Sequence, residues 1–394
     1  MCQNDSVASL SITERNEFRD LFNRRLEKAS VRTADCFAFK EMDAPPFLVN
    51  GAPYWGFGYD PETFPQGLFD DPTVMTAAQE RAYYDQVKEI DDCFVPYLMP
   101  WLGTGVLASA FGCHIEYPPK QDPVVSPRHY PVKTTSDIKE LSIPDPEKDG
   151  LMPKVLAYLQ YMKLHSFLPV GITDIQGPLT TANQLMGFDK LIYLMEDEPL
   201  AAHELMEKVT EALIQWVKRQ KQVIGEPLNE CISDQQVYTG RHAGIWFSDD
   251  DAVLISPGLY KEFVVPYNSR LCKVFGGGCL HYCGNATHQI DNFLHIDSLR
   301  AINNSLMHNI RPFRELKAKV EGRIVLFAVD LVPVDFEGYL KELLDNISYK
   351  GMIVHLVYMG TAGMSRDGQW LPMRRDFHAG RRSSYDGLCR HLHR

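Results

Sequence analysis

No stretch of this chain reaches about 18 uninterrupted apolar residues, so no membrane-spanning helix is expected. It has no lysine or arginine block either: 40 basic residues are scattered among 51 acidic ones, for a formal net charge of −11. A polyanion would meet a repulsive field, which argues against nucleic acid as a partner. Residues 1–10 lack a basic segment followed by an apolar run, so a secretory signal is not expected. Nine scattered cysteines make no small-domain disulfide framework and read as reduced thiols. The expected location is the cytoplasm. No G-x-G-x-x-G follows a strand pattern, which removes the dinucleotide fingerprint. What is present, 394 residues at 45% hydrophobic and 23% charged, has the composition of a globular protein.

Residues 1–45 read as an N-terminal helical extension, with Phe18, Leu21, Phe22 and Leu26 on one face behind a Ser11 or Thr13 cap. Residues 46–394 read as a (β/α)8 TIM barrel. Strands are expected to start at Phe47, Tyr97, Leu168, Gly244, Cys279, Leu299, Ile324 and Met352, most of them followed by a helical stripe. One stripe is Leu205, Val209, Leu213, Trp216 and Val217, behind Pro199. Eight buried strands alternating with helices imply a closed barrel, with an open doubly wound sheet as runner-up. Residues 118–146 have no clear period and read as an insertion covering a binding face. The 53–59 loop reads equally as aromatic packing or as a pocket wall, and Pro266 is expected to kink its helix.

The chain is organised around residues 276–285. Side chains two apart on a strand share a face, so a strand through Leu280 aims His281 and Cys283 into one space. That is half of a zinc site, which takes about four ligands; the plain alternative is a buried histidine and cysteine on a core strand. In a barrel the catalytic groups sit at the carboxyl ends of strands. The polar residues there are Asp174 and Gln176, Asp249 and Asp250, Asn303 and Asn304, Asp330 and Tyr358, with Trp246 inside one strand. Asp249 and Asp250 are the candidate catalytic groups. Asp174, Gln176, Trp246, Asn303, Asp330 and Tyr358 are the candidate substrate contacts, and His281 and Cys283 the candidate metal ligands. His355, in mid-strand, reads as a core histidine.

Ile175-Gln176-Gly177-Pro178, Ser248-Asp249-Asp250 with Ile255-Ser256-Pro257 after it, Pro266-Tyr267 and His281-Tyr282-Cys283-Gly284 occur in this order. With these motifs the chain resembles the uroporphyrinogen decarboxylase superfamily, well over residues 168–360 and loosely before them. The H-x-C-G form is similar to its cobalamin-dependent, corrinoid protein methyltransferase branch. That resemblance implies a small-molecule methyl donor or acceptor, zinc as a Lewis acid, and cobalamin supplied by a partner corrinoid protein. It also implies that Asp249 or Asp250 positions substrate or moves a proton. A homodimer is compatible with it. The chain departs from the thiol-methylating members, which place a cysteine after the last strand, where Tyr358-Met359-Gly360 stands. His281 and Cys283 would then borrow a ligand from Asp249, Asp250, Tyr358 or solvent. The arginine-rich N-terminal signature of the decarboxylases is not evident, which leaves a metal-independent decarboxylase or a silent ligand-binding relative as alternatives. Asp376-Phe377-His378-Ala379-Gly380 is one residue short of a cobalamin-binding signature and reads as a chance match.

Overall fold

Ser11 starts the Ile12–Phe37 helix: its hydroxyl accepts from the Glu14 N–H at 3.3 Å while Glu14 accepts from the Ser11 N–H at 2.8 Å, so two orphan donors are satisfied reciprocally. Phe18 and Phe22 are buried on its inner face. Buried Arg25 donates to Asp92 Oδ1 at 2.6 Å and to the Val87 carbonyl at 3.1 Å, and Cys36 donates to the Met352 carbonyl at 3.6 Å. Asp92 precedes one extended segment and Met352 opens a strand. The helix therefore packs against the amino-terminal end of the sheet, opposite the end where the loops after the strands gather. The computed structural model describes residues 9–50, 65–119, 121–232, 238–306, 309–331, 336–357, 362–364 and 370–372. The 53–59 loop, Tyr358 and the 376–380 segment lie outside them.

Six parallel strands form one sheet in the order Phe47–Asn50, Met352–Val357, Val325–Leu331, Leu299–Ser305, Gly278–Cys283, Ile245–Ser248. Two further segments carry the sheet round. Ser248 N–H donates to Ile175 O at 2.8 Å and Gly177 N–H to Ser248 O at 2.6 Å; Leu98 N–H donates to Pro169 O at 2.9 Å and Gly171 N–H to Leu98 O at 2.8 Å. Cys93 N–H then donates to Phe47 O at 3.0 Å, which joins the last segment to the first strand. Eight segments thus follow one another round a closed α/β barrel in chain order, and the runner-up open sheet is excluded. The early segments are bridged at single points, Leu98 with Val170 and Gln176 with Ser248, and form no long ladder.

The helices follow the apolar stripes. Pro199–Ile224 buries Leu205, Val209, Leu213, Trp216 and Val217, and ends at Gly225 with φ 81°, a left-handed cap that a residue with a Cβ rarely adopts. Pro266 does more than kink its helix. The chain breaks between Pro257–Phe263 and Val265–Val274, which puts Pro266 in the first turn of the second helix, where its missing N–H leaves no bond unmade. Residues 118–146 are more structured than their sequence implies. Ile115–Glu116 pairs antiparallel with Val124–Val125, and Thr135–Glu140 is a helix capped by Thr134.

The register stacks the barrel interior in layers. One row is Ser248, His281, Asn303, Phe327 and Ile353, each opposite the next, with Gln176 bridged to Ser248. The row below holds Trp246, Cys279, Ala301 and Val325; the row above has Cys283 opposite Ser305 and Val329 opposite His355. Because side chains alternate with period two, residues between these rows face the helical layer.

Candidate metal centre

The Gly278–Cys283 strand ends at the carboxyl end of the barrel, and the alternation of its side chains places His281 and Cys283 on the inner face. His281 Nε2 lies 3.5 Å from Cys283 Sγ and 3.7 Å from Asp250 Oδ1. Donor atoms of Asp250, His281 and Cys283 all lie within 4.8 Å of one another. On its other side the ring meets Asn303: Nδ1 is 2.9 Å from the amide Oδ1. An amide oxygen only accepts, so Nδ1 carries the proton and Nε2 presents its lone pair to Asp250 and Cys283. A carbonyl behind the ring that fixes the tautomer is the usual support of a metal-binding histidine.

The three aspartates after the Ile245–Ser248 strand have three different surroundings. Asp250 opens a short 3₁₀ turn, Asp250–Val253, and is held in place as its Oδ1 accepts the Cys283 N–H at 2.9 Å and its Oδ2 accepts from Ser248 Oγ at 3.4 Å. Asp251 accepts two bonds at 3.0 Å from Asn183 Nδ2, tying the turn to the Pro178–Met186 helix. Asp249 is fully buried; its Oδ2 accepts from Tyr260 Oη at 2.5 Å and from Asn268 Nδ2 at 3.0 Å, both on the helices that follow. The expectation that Asp249 stands at the mouth is thereby corrected: it is one residue off the inward parity and faces the helical layer. Asp330 is corrected for the same reason. It lies between inward rows, and its Oδ2 accepts from Tyr339 Oη at 2.6 Å, in the Phe336–Leu344 helix.

Of the other candidates, Asp174 and Gln176 are brought to the site. Gln176 is opposite Ser248, and its Nε2 donates to Asp174 Oδ2 at 2.7 Å. Gly177 permits this approach, since a Cβ there would lie 2.9 Å from the Ser248 carbonyl oxygen. Trp246 is also inward, its ring centroid 6.0 Å from that of His281. Asn303 is inward too, but its carbonyl is occupied by the imidazole. Asn304 faces away and holds the 283–284 backbone by donating to the Gly284 carbonyl at 3.0 Å. Tyr358 falls outside the described residues. The support of His281 by Asn303 is what the residue-by-residue reading missed; the signal for it is the shared register position on adjacent strands.

Although Cys283 is exposed as a residue, neighbouring atoms crowd its sulfur, and this desolvation, and then the Asp250 charge, pushes the thiol up to about 12. Burial likewise raises the Asp174 carboxyl from 3.8 to about 7, with Asp250 adding to it and the Gln176 hydrogen bond opposing it. His355 is buried and held neutral, its pKa lowered to about 3, as expected of a core histidine. The Asp174 shift fixes a pH dependence. A carboxyl whose folded pKa lies above its unfolded value helps the fold only below the unfolded value, and that help is lost as pH rises from about 4 to about 7. Asp174→Asn should therefore raise the melting temperature relative to wild type by more at pH 8 than at pH 5, a differential on the order of 2 kcal/mol. Calorimetry at both pH values checks it; an equal offset would contradict the assigned environment.

Residues 101–225 match the uroporphyrinogen decarboxylase (URO-D) family model. Curated relatives include a methylated-thiol–coenzyme M methyltransferase of Methanosarcina mazei, 24% identical over 228 residues, 54% of this chain and 56% of that one. They also include a uroporphyrinogen decarboxylase of an Anaeromyxobacter species, 34% identical over 150 residues, 36% of this chain and 38% of that one. The matches span about half the length of these relatives or less. A solved methyltransferase structure from Methanosarcina mazei superposes with a TM-score of 0.62 at 15% identity, over 93% of this chain and 98% of that one, and shares the fold. No helix among the described residues is long and apolar enough to cross a membrane.

Proposed function

We propose that this chain, whose residues 101–225 match the uroporphyrinogen decarboxylase family model and which is similar to a methylated-thiol–coenzyme M methyltransferase, is a methyltransferase acting between a small methylated compound and a corrinoid on a partner protein. In this reading Asp250, His281 and Cys283 hold a zinc ion. The observation that carries it is the convergence of one oxygen, one nitrogen and one sulfur donor within 4.8 Å, with the nitrogen oriented from behind by Asn303. Three protein ligands of these types leave a fourth position open, the form of a catalytic zinc site. Bound there, zinc supplies Lewis acidity toward the atom that carries the methyl group. A reduced corrinoid supplies the nucleophile, and no residue of this chain is assigned to hold it.

The chain's own residues do the rest. Asn303 fixes the His281 tautomer, Ser248 and the Cys283 N–H hold the Asp250 carboxylate, and the Trp246 ring stands beside the imidazole. Asp174 and Gln176 line the same interior and are the proposed substrate contacts. Decarboxylation of a polycarboxylate would call for cations around the substrate. None of the inward residues Asp174, Gln176, Trp246, Ser248, Asp250, His281, Cys283, Asn303, Ser305, Val329 or His355 is Arg or Lys, which supports methyl transfer over that chemistry.

Metal analysis of the purified protein, followed by a methyl-transfer assay with an added corrinoid protein, tests the reading. About one zinc per chain and methylation of the corrinoid are expected; loss of carbon dioxide from uroporphyrinogen by metal-free protein would overturn it. Asn303→Ala should weaken zinc binding by about 10- to 100-fold, the usual effect of removing a partner behind a ligating histidine. A chelator competition assay measures it, and unchanged affinity would remove Asn303 from the site.

A further inference from the structure

Asp174 is the inward carboxyl that the metal site leaves unused. It lies two residues before Gln176, which is bridged to Ser248, the neighbour of His281 in the register. It is 7% exposed. Gln176 donates to Oδ2, so the proton of the neutral acid resides on Oδ1. Gln176 holds one of its oxygens, and Asp250 is the charged group whose field it feels.

Trp246 Nε1, on a side chain 6% exposed, and Asn303 Nδ2, on one 0% exposed, are buried donors without hydrogen-bond partners among the described residues. Unpaired buried donors are costly unless something accepts from them. Both belong to the inward rows around His281, and what they lack is an acceptor such as an ether or hydroxyl oxygen.

We propose that Asp174 is the general acid of the methyl transfer and that the substrate carries its methyl group on oxygen, as an alcohol or an ether does. The inference rests on the methyltransferase reading above. A methyl group leaving sulfur gives a thiolate, and one leaving a quaternary nitrogen gives a neutral amine; both depart without a proton. An alkoxide is a strong base and departs poorly unless protonated. As the C–O bond breaks, its electron pair stays on oxygen, and that oxygen takes the proton from Asp174 Oδ1 to become a hydroxyl. The methyl carbon passes to the reduced corrinoid, whose electron pair makes the new bond. The Asp174 carboxylate then regains a proton from water. Burial, which raises this carboxyl to about 7, keeps it loaded near neutrality.

The test gives zinc-loaded wild type and Asp174→Asn two probes, methanol and 4-nitroanisole, with cob(I)alamin as acceptor. Nitrophenolate leaves without help. The substitution should slow demethylation of methanol by about 100-fold or more and of 4-nitroanisole by less than about 3-fold. Equal slowing of both overturns the acid role. Wild type that demethylates neither probe but uses a methyl thioether overturns the oxygen assignment, while no transfer from any donor overturns the reading beneath it. Independently of metal and corrinoid, difference infrared spectra at pH 6 should show a protonated carboxyl band that Asp174→Asn abolishes and Asp174→Glu shifts. A band indifferent to both variants overturns the proposal even where the turnover assay agrees with it.

Discussion

Cys283→Ser is expected to lower zinc affinity by about 100-fold or more and to take turnover down with it, while the melting temperature of the metal-free protein stays within a degree or two of wild type. The reason lies in where the sulfur sits. Cys283 is the last residue of its strand and is exposed, so its side chain contributes little packing, yet it is within 3.5 Å of the His281 nitrogen. Serine keeps the size and loses the soft anionic donor that zinc prefers over a hydroxyl. A structural cysteine would behave in the opposite way, with stability falling and metal content unchanged. Chelator competition and thermal melting on the same preparation separate the two outcomes. Equal zinc affinity in the variant would remove Cys283 from the ligand set.

Gly244→Ala should have the largest effect on stability. Gly244 precedes the Ile245–Ser248 strand, and its N–H donates to Gly277 O at 2.9 Å, which sets the register between that strand and the one bearing His281. A Cβ there would lie 1.8 Å from the Phe275 carbonyl oxygen and 2.6 Å from that of Leu228. Both obstacles are backbone, so neither can swing aside as a side-chain tip does, and the strand entry must move. A loss of about 3 kcal/mol or more is expected, at the upper end of overpacking effects. Gly258 is the matched control: it lies in the first turn of the Pro257–Phe263 helix with nothing within 4 Å of an added Cβ, so Gly258→Ala should be neutral or stabilising by up to about 1 kcal/mol. Urea unfolding of both variants decides it, and a near-neutral Gly244→Ala would mean that the two strands do not approach as closely as described.

The eight strand starts were legible because buried parallel strands write themselves as short apolar runs such as Ile324 to Val329, each ended by polar residues and followed by a 3.6-residue stripe. The pairing of His281 with Cys283 was legible for the same geometric reason, a spacing of two on one strand. Parity across strands was not. Asp249 and Asp330 are polar residues at strand ends just as Asp250 and Asp174 are, and only the register shows that they are one residue out of phase and hydrogen-bonded to Tyr260 and Tyr339 of the following helices. A run of three aspartates hides this entirely, since any of the three fits the pattern. Asn303 was found as a polar strand end, but its place behind the imidazole depends on the alignment of His281 with Asn303, a relation between residues 22 apart in sequence. The third donor of the proposed metal site had four contenders. Asp250 is selected by a backbone bond to Cys283 that no spacing rule foresees.

The central claim is that a single ion joins Asp250, His281 and Cys283. X-ray absorption at the zinc edge of the metal-loaded protein tests it most directly. The account predicts one sulfur scatterer at about 2.3 Å with the remaining nitrogen and oxygen neighbours at about 2.0–2.2 Å, and loss of the sulfur shell in Cys283→Ser. A first shell of nitrogen and oxygen alone in the wild-type protein, or a sulfur shell that survives the substitution, would contradict it.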